Sequence, residues 1–237
     1  MLPLTPYTWD ASKTLIDYIE AVRGRYAQLP AYSQQGQTIT YDQMVRLSRK
    51  VAAYLQNHPD LKAGDRVAVQ IPNTLIYPVL VWGILQAGMV IVNLNPQYTI
   101  RETARQLKDA DARAWFCADI AAHLIEDVRE NLRCPLIVVC RLFEIHPWPQ
   151  RNIYQFVLRY QRKAIKPFSK HKIVSFRKVL REGAALTWKR PAIDAQDLAM
   201  IQYTGGSTGV HMGAMLTHAN LVANMEQVNH FLSDNIT

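Results

Sequence analysis

Tyr203-Thr204-Gly205-Gly206-Ser207-Thr208-Gly209-Val210-His211-Met212-Gly213 is the stretch on which the reading of the fold turns. Thr204 to Gly209 comprises three Gly, two Thr and one Ser, and the whole stretch holds no acid. Glycine lets the backbone turn its N–H groups inward and come close to a ligand. The hydroxyls add donors. The apolar run Leu198-Ala199-Met200-Ile201 leads in as a strand. Leading out, Thr217 is placed to N-cap a helix with Leu221, Met225, Val228 and Leu232 on one face. The spacing predicts strand, glycine-rich loop, helix, and the positive helix end would favour negative charge at the loop. Such an arrangement suits phosphate.

Other glycine loops fit less well. The P-loop of common nucleotide triphosphatases is Gly-x-x-x-x-Gly-Lys-Ser/Thr. Here Gly205 and Gly209 are one residue too close, and no Lys follows. The dinucleotide fingerprint Gly-x-Gly-x-x-Gly is broken by Thr204. Gly205-Gly206-Ser207-Thr208-Gly209 matches the nucleophile elbow Gly-x-Ser-x-Gly, which would make Ser207 a nucleophile. An elbow enzyme needs an acid and then a His after its Ser. Only Glu226 followed by His230 offers that order, and both sit on the single helix after the loop, which argues against it. A plain surface turn is the blandest alternative, but six small residues in a row rarely serve only to turn a corner.

The run Tyr-Thr-Gly-Gly-Ser-Thr-Gly-Val-His-Met-Gly-Ala-Met-Leu-Thr-His, residues 203 to 218, resembles the AMP-binding signature of the adenylate-forming enzymes, and most of all the bacterial long-chain fatty acid–CoA ligases. The resemblance extends through Gly64-Asp65-Arg66-Val67-Ala68, Pro72-Asn73, Gly83-Ile84-Leu85-Gln86-Ala87-Gly88 and Asn93-Leu94-Asn95-Pro96. The family has a Lys before the final Gly, where this chain has Met212. The resemblance implies ATP, Mg²⁺ and coenzyme A as cofactors and a long-chain fatty acid as substrate. It also implies a nucleotide site at Tyr203, Thr204, Gly205, Gly206, Ser207, Thr208, Gly209 and Gly213, and a cytoplasmic place, peripheral at the inner membrane. The family's Mg²⁺-binding Glu, ribose-binding Asp and C-terminal Lys have no counterpart here, because Gly209 is already only 28 residues from the last residue. The expectation is an incomplete N-terminal part, truncated or split and inactive alone, with a separate C-terminal half as partner. A non-catalytic nucleotide- or membrane-surface-binding module on the same fold is the alternative.

With 237 residues, 49% of them hydrophobic, the chain can bury a sizeable core. Cys117, Cys134 and Cys140 form no Cys-x-x-Cys pair and read as free thiols of a reducing cytoplasm. The seven His show no metal-ligand spacing. Met1-Leu2-Pro3-Leu4-Thr5-Pro6 lacks a signal peptide's basic start and long apolar core.

In chain order, residues 1–60 form an N-terminal helical region. The pattern predicts a helix over 14–29 stopped by Pro30, a hairpin around Gln34-Gln35-Gly36-Gln37, and a second helix capped by Thr40 or Asp42 with Met44, Leu47, Val51 and Leu55 inward. Residues 61–140 read as strand–helix units: strands at 66–71, 89–94, 114–117 and 136–140, and helices at 74–87, from Thr99 to 108, and at 120–131. Residues 71–95 carry no charge, but Pro72-Asn73, Pro78, Gly83, Gln86, Gly88 and Asn93 speak against a membrane span. The fold class is α/β, a mostly parallel sheet flanked by helices.

Residues 141–190 are a basic segment, followed by the loop unit at 191–237. From Arg151 to Arg190 there are twelve Lys or Arg against one acid, Glu182, in a chain of net charge +8. Within it Ile153, Phe156, Val157 and Tyr160 share a helical face, with cations following. Two readings stand: a helix lying on an anionic membrane surface, and a helix packed on the core with a solvated basic face, the second slightly favoured. No nucleic-acid motif accompanies the charge, and no nucleic acid is expected as partner.

Overall fold

The computed structural model describes residues 10–129, 132–169, 172–204 and 212–235. The Met1-to-Pro6 stretch and Gly205 to Gly209 of the expected nucleotide site lie outside them. The elements run α1 (Leu15–Tyr26), β1 (Pro30–Gln34), β2 (Gln37–Thr40), α2 (Tyr41–Gln56), β3 (Arg66–Gln70), α3 (Ile76–Gln86), β4 (Val90–Asn93), α4 (Ile100–Asp109), β5 (Ala114–Ala118), α5 (Ile125–Arg129), β6 (Leu136–Cys140), α6 (Gln150–Phe156), β7 (Val174–Ser175), α7 (Phe176–Gly183), β8 (Leu198–Thr204), β9 (Met212–Thr217) and α8 (His218–Asn235).

Local chemistry explains most boundaries. Thr14, Thr40 and Thr99 each accept from the backbone N–H three residues on, while Asp17, Gln43 and Glu102 reach back to the threonine N–H. These capping boxes satisfy donors that a helix start leaves open. Gly88, at φ +75°, ends the turn after α3 in a backbone region that suits glycine.

β1 and β2 form the expected small hairpin. The other strands form one seven-stranded sheet in the order β7-β6-β5-β3-β4-β8-β9, parallel throughout except for the antiparallel β8–β9 pair. Its central strands are buried on both sides, as the near-continuous apolar runs of β3, β5 and β6 require. Trp115 and Phe116 on β5 are fully buried. Among the described residues, no helix is long and apolar enough to cross a membrane. Cys117 and Cys140 are buried and Cys134 half-buried, all as free thiols.

Four expectations need correction. The 120–131 helix is a short 3-10 turn, Ala122–Leu124, followed by α5. The expected α8 face is not buried along its length: Leu221 is half-buried and Met225 and Val228 are exposed, while Val222 beside them is buried. The basic helix, α6 and a following π-helical turn at Val157–Gln161, does not turn Ile153, Phe156 and Tyr160 onto the core; all three are exposed. A strand, β9, stands between the glycine-rich stretch and α8, so the unit is not strand–loop–helix.

The start of α8 is tied to α1. The Leu15 N–H donates to His218 Nδ1 at 3.3 Å, and the Tyr18 hydroxyl donates to Glu226. His218 is buried, and desolvation holds its pKa below the usual value against the weaker pull of Asp197 and Asp17. An unfolded chain therefore takes up a proton that the fold resists. His146, buried beside Gln34, and His123 are shifted the same way. Stability is expected to be full above about pH 6.5, the ordinary histidine value, and to fall as the pH drops below it. Urea midpoints at neutral and mildly acidic pH check this, and His218→Gln should flatten the slope.

Candidate functional site

The carboxyl ends of β3, β4 and β8 surround a cavity of about 310 Å³ whose lining includes Asn73, Tyr77, Asn93, Asn95, Gln202 and Tyr203. The strand order turns back here, since β4 lies on one side of β3 and β5 on the other. Open α/β sheets hold ligands at such a place, outside the carboxyl ends of the strands. The sequence puts polar groups there by a simple rule. Val90-Ile91-Val92 is buried between two helix layers, and polar side chains are admitted only as the strand leaves the core, at Asn93-Leu94-Asn95.

These groups form a chain of hydrogen bonds. The Tyr77 hydroxyl donates to Asn93 Oδ1 at 3.1 Å, Asn93 Nδ2 donates to Gln202 Oε1 at 2.9 Å, and Gln202 Nε2 donates weakly to the Tyr203 carbonyl at 3.4 Å. Behind it, buried Gln70 donates to the Asn95 carbonyl and to Thr103 Oγ1, both at 3.2 Å, which fixes the turn after β4. Burial pushes the Tyr77 phenol up, against the bond to Asn93, so it remains a neutral donor. Among the described residues, no charged side chain lines the cavity. It is built to hydrogen-bond neutral polar groups. Neutralising a phosphate must fall to other groups at its rim.

Of the eight residues expected to bind nucleotide, three are described, and they occupy the ends of β8 and β9. Thr204 pairs with Met212 and Tyr203 with Gly213. Thr204 is exposed, and its hydroxyl makes only a long contact, 3.5 Å, to the Met212 carbonyl, so it is available to a ligand. Tyr203 does a different job from the one expected. Its hydroxyl donates to Asp109 at 2.5 Å, at the end of α4, and burial with the Asp109 carboxylate pushes its pKa well up. The phenol is thus already committed.

Gly213 is explained by the same ring. A Cβ there would lie 2.8 Å from Ile201 Cγ2 and 3.3 Å from Tyr203 Cε1. Glycine lets the aromatic ring lie across the strand. Gly213→Val is expected to destabilise the fold by about 1–3 kcal/mol, the usual cost of overpacking, read as a lower urea midpoint.

The α8 N-terminus is not at this site. Thr217 pairs with Leu198, at the opposite end of β8 from Thr204, roughly 20 Å away at about 3.3 Å per residue. The His218 N–H donates to the Asp197 carbonyl and the Ala219 N–H to the Ala195 carbonyl, and Thr217 caps the helix with Asn220. The helix end therefore adds no positive field to a phosphate at Thr204, contrary to the sequence expectation.

Metal has little to bind to. Among the described residues, no group of three or more His, Cys, Asp or Glu could hold an ion. The described residues thus offer no ready-made cage of side-chain ligands for Mg²⁺. Sequence reasoning missed Tyr77 and Gln202 as site residues, whereas Asn73 and Asn93 lay in motifs already singled out. A polar residue closing an apolar strand was the available signal.

Comparison with known proteins bears on family and fold. A family model described as AMP-binding enzyme matches residues 19–236. A long-chain-fatty-acid–CoA ligase of Salmonella typhimurium is 40% identical over 219 residues, covering 92% of this chain and 39% of that protein. One of Bacillus subtilis is 31% identical over 225 residues, covering 94% and 40%. Among solved structures, a long-chain-fatty-acid-CoA ligase from Archaeoglobus fulgidus superposes with a TM-score of 0.72 at 20% identity, over 94% of this chain and 40% of the other. An anthranilate CoA ligase in complex with anthranoyl-AMP gives 0.73 at 19% identity, over 93% and 38%. The structural likeness is one of fold. The chain spans about two fifths of the length of the curated relatives it matches.

Proposed function

The chain belongs to the AMP-binding enzyme family, and on that premise we propose that it is the N-terminal part of an ATP-dependent long-chain fatty acid–CoA ligase. In the reaction so assigned, a fatty carboxylate oxygen attacks the α-phosphorus of ATP. The bond to the bridging oxygen breaks, giving acyl-AMP and pyrophosphate. The coenzyme A thiol then attacks the acyl carbon, AMP leaves, and the thiol proton passes to solvent or to a base outside this chain. Mg²⁺, if it took part, would supply positive charge to the triphosphate; among the described residues no cluster would hold it.

This chain's own work is binding and orientation. Thr204, Ser207 and Thr208, with the N–H groups of Gly205, Gly206 and Gly209, would hold the β- and γ-phosphates. The Tyr77–Asn93–Gln202 chain fixes the β8 end from which that stretch departs. The observation that carries the reading is one of convergence: Asn73 and Asn93-Leu94-Asn95, far apart in sequence from Tyr203, meet it at a single cavity. In-line displacement depends mostly on such positioning and on charge neutralisation.

The test is calorimetry with ATP. The chain is expected to bind it, and Ser207→Ala to weaken binding about tenfold, the value of one hydrogen bond to a charged group. Unchanged dissociation constants in Ser207→Ala and Thr208→Ala alike would remove the stretch as a phosphate holder.

A further inference from the structure

α3 begins without a cap of its own. Its N-cap position is Leu75, which has no side-chain acceptor, and the hydroxyl of the preceding Thr74 is buried without a hydrogen-bond partner. The acceptor comes from 41 positions away: the Leu75 N–H donates to Gln34 Oε1 at 3.0 Å. One of the donors that a helix start leaves open is thus satisfied by the β1–β2 hairpin.

Gln34 is itself held on its backbone side. It ends β1 and pairs with Gln37 across a tight turn in which Gln35 and Gly36 take φ +48° and +78°. The Gln34 carbonyl accepts from His146 Nε2 at 3.1 Å, which requires the tautomer with its proton on that nitrogen. The His146 ring stands edge-on to Phe143 and Tyr154, with centroids 5.1 and 5.5 Å away, and the Tyr154 hydroxyl donates to the Gln35 carbonyl at 3.4 Å. The amide therefore reaches α3 from a fixed frame.

What it reaches carries the site. Asn73 and Tyr77 flank Leu75, and both line the candidate nucleotide cavity as well as the groove they share with Gln34. The Tyr77 hydroxyl starts the chain of bonds through Asn93 to Gln202. We propose that Gln34 is a positioning residue for nucleotide binding: its amide oxygen holds the start of α3 so that Asn73 and Tyr77 face the cavity together. This rests on the reading of the cavity as the nucleotide site and adds to it a residue that does not line it. A first turn that frays leaves only part of the population competent to bind, and the apparent affinity falls by that fraction.

The experiment joins calorimetry with ATP to amide hydrogen exchange without it, on the full chain and its variants. Gln34→Met keeps the length and removes the acceptor. It is expected to speed exchange across 73–77 and to weaken ATP binding roughly threefold to tenfold, the value of one hydrogen bond between neutral groups. Gln34→Glu keeps an acceptor oxygen and should restore protection at 73–77. Thr38→Val removes the Ser33–Thr38 hydroxyl contact of 2.7 Å from the same hairpin and should leave ATP affinity unchanged. If Gln34→Met does not fold, Gln34→Asn, one methylene too short to reach Leu75, reads the same effect. Parent-like protection at 73–77 in the Met variant overturns the proposal, as does parent-like ATP affinity in it. Equal weakening by Thr38→Val also overturns it, since a loosened hairpin would then suffice. A parent chain that binds no ATP fails in its own arm, and removes the nucleotide-site reading and this role together.

Discussion

Met212→Lys is expected to tighten pyrophosphate and ATP binding by roughly tenfold to a hundredfold. Met212 is 72% exposed and stands opposite Thr204 at the open end of the β8–β9 pair. Among the described residues the neighbouring cavity has no charged side chain, and the α8 dipole points from the far end of the strand. The described part of the site thus has hydrogen-bond donors but little positive charge. A lysine on a flexible stem at this position would add a charge-assisted hydrogen bond, which contributes about 1.5–3 kcal/mol. Because the methionine packs against nothing that matters to the core, the exchange should leave stability within about 0.5 kcal/mol. Calorimetry reads the gain directly. Equal dissociation constants for the two forms would show that position 212 does not reach the phosphate.

The sequence was most legible where a local rule acts alone. Thr14, Thr40 and Thr99 announce helix starts because their capping partners sit three residues away in the same chain. The buried strands β3, β5 and β6 announce themselves by unbroken apolar runs. β9 was missed because Met212-Gly213-Ala214-Met215 has weak strand propensity; it is a strand through its ladder with β8, a tertiary fact. β7 has only two residues and owes its existence to β6. The outward turn of α6 was misread because helical spacing says which residues share a face, not what that face meets. At the site, composition revealed the glycine-rich stretch. The commitment of Tyr203 to Asp109 was invisible, since the partners are 94 positions apart.

The chain alone is expected to give no ATP–pyrophosphate exchange with a long-chain fatty acid, and to gain it when a polypeptide carrying the rest of the relatives' length is supplied. Acyl-adenylate formation needs triphosphate, metal and carboxylate held together, and a small misplacement costs about a hundredfold. The described residues offer a polar cavity at the strand ends, but no cluster of three or more His, Cys, Asp or Glu for a metal. The surface of the described residues leaves one sheet edge open. β9 is an edge strand with Met215 exposed, and Met225, Val228 and Phe231 are exposed along α8. An edge strand beside an apolar helix face invites an added strand or layer. Exchange by the purified chain at rates like those of the completed pair would mean that the groups carrying the chemistry lie within these residues after all.

Hydrogen exchange of the chain with and without ATP tests the central claim most directly, because it reports which backbone segments meet the nucleotide without requiring turnover. Slower exchange is expected across 203–213 and at the strand ends around Asn73 and Asn93–Asn95, with no change at His218–Asn220, where α8 begins. Protection confined to the α8 start, or none at 203–213 at saturating ATP, would contradict the assignment of this end of the sheet as the phosphate site.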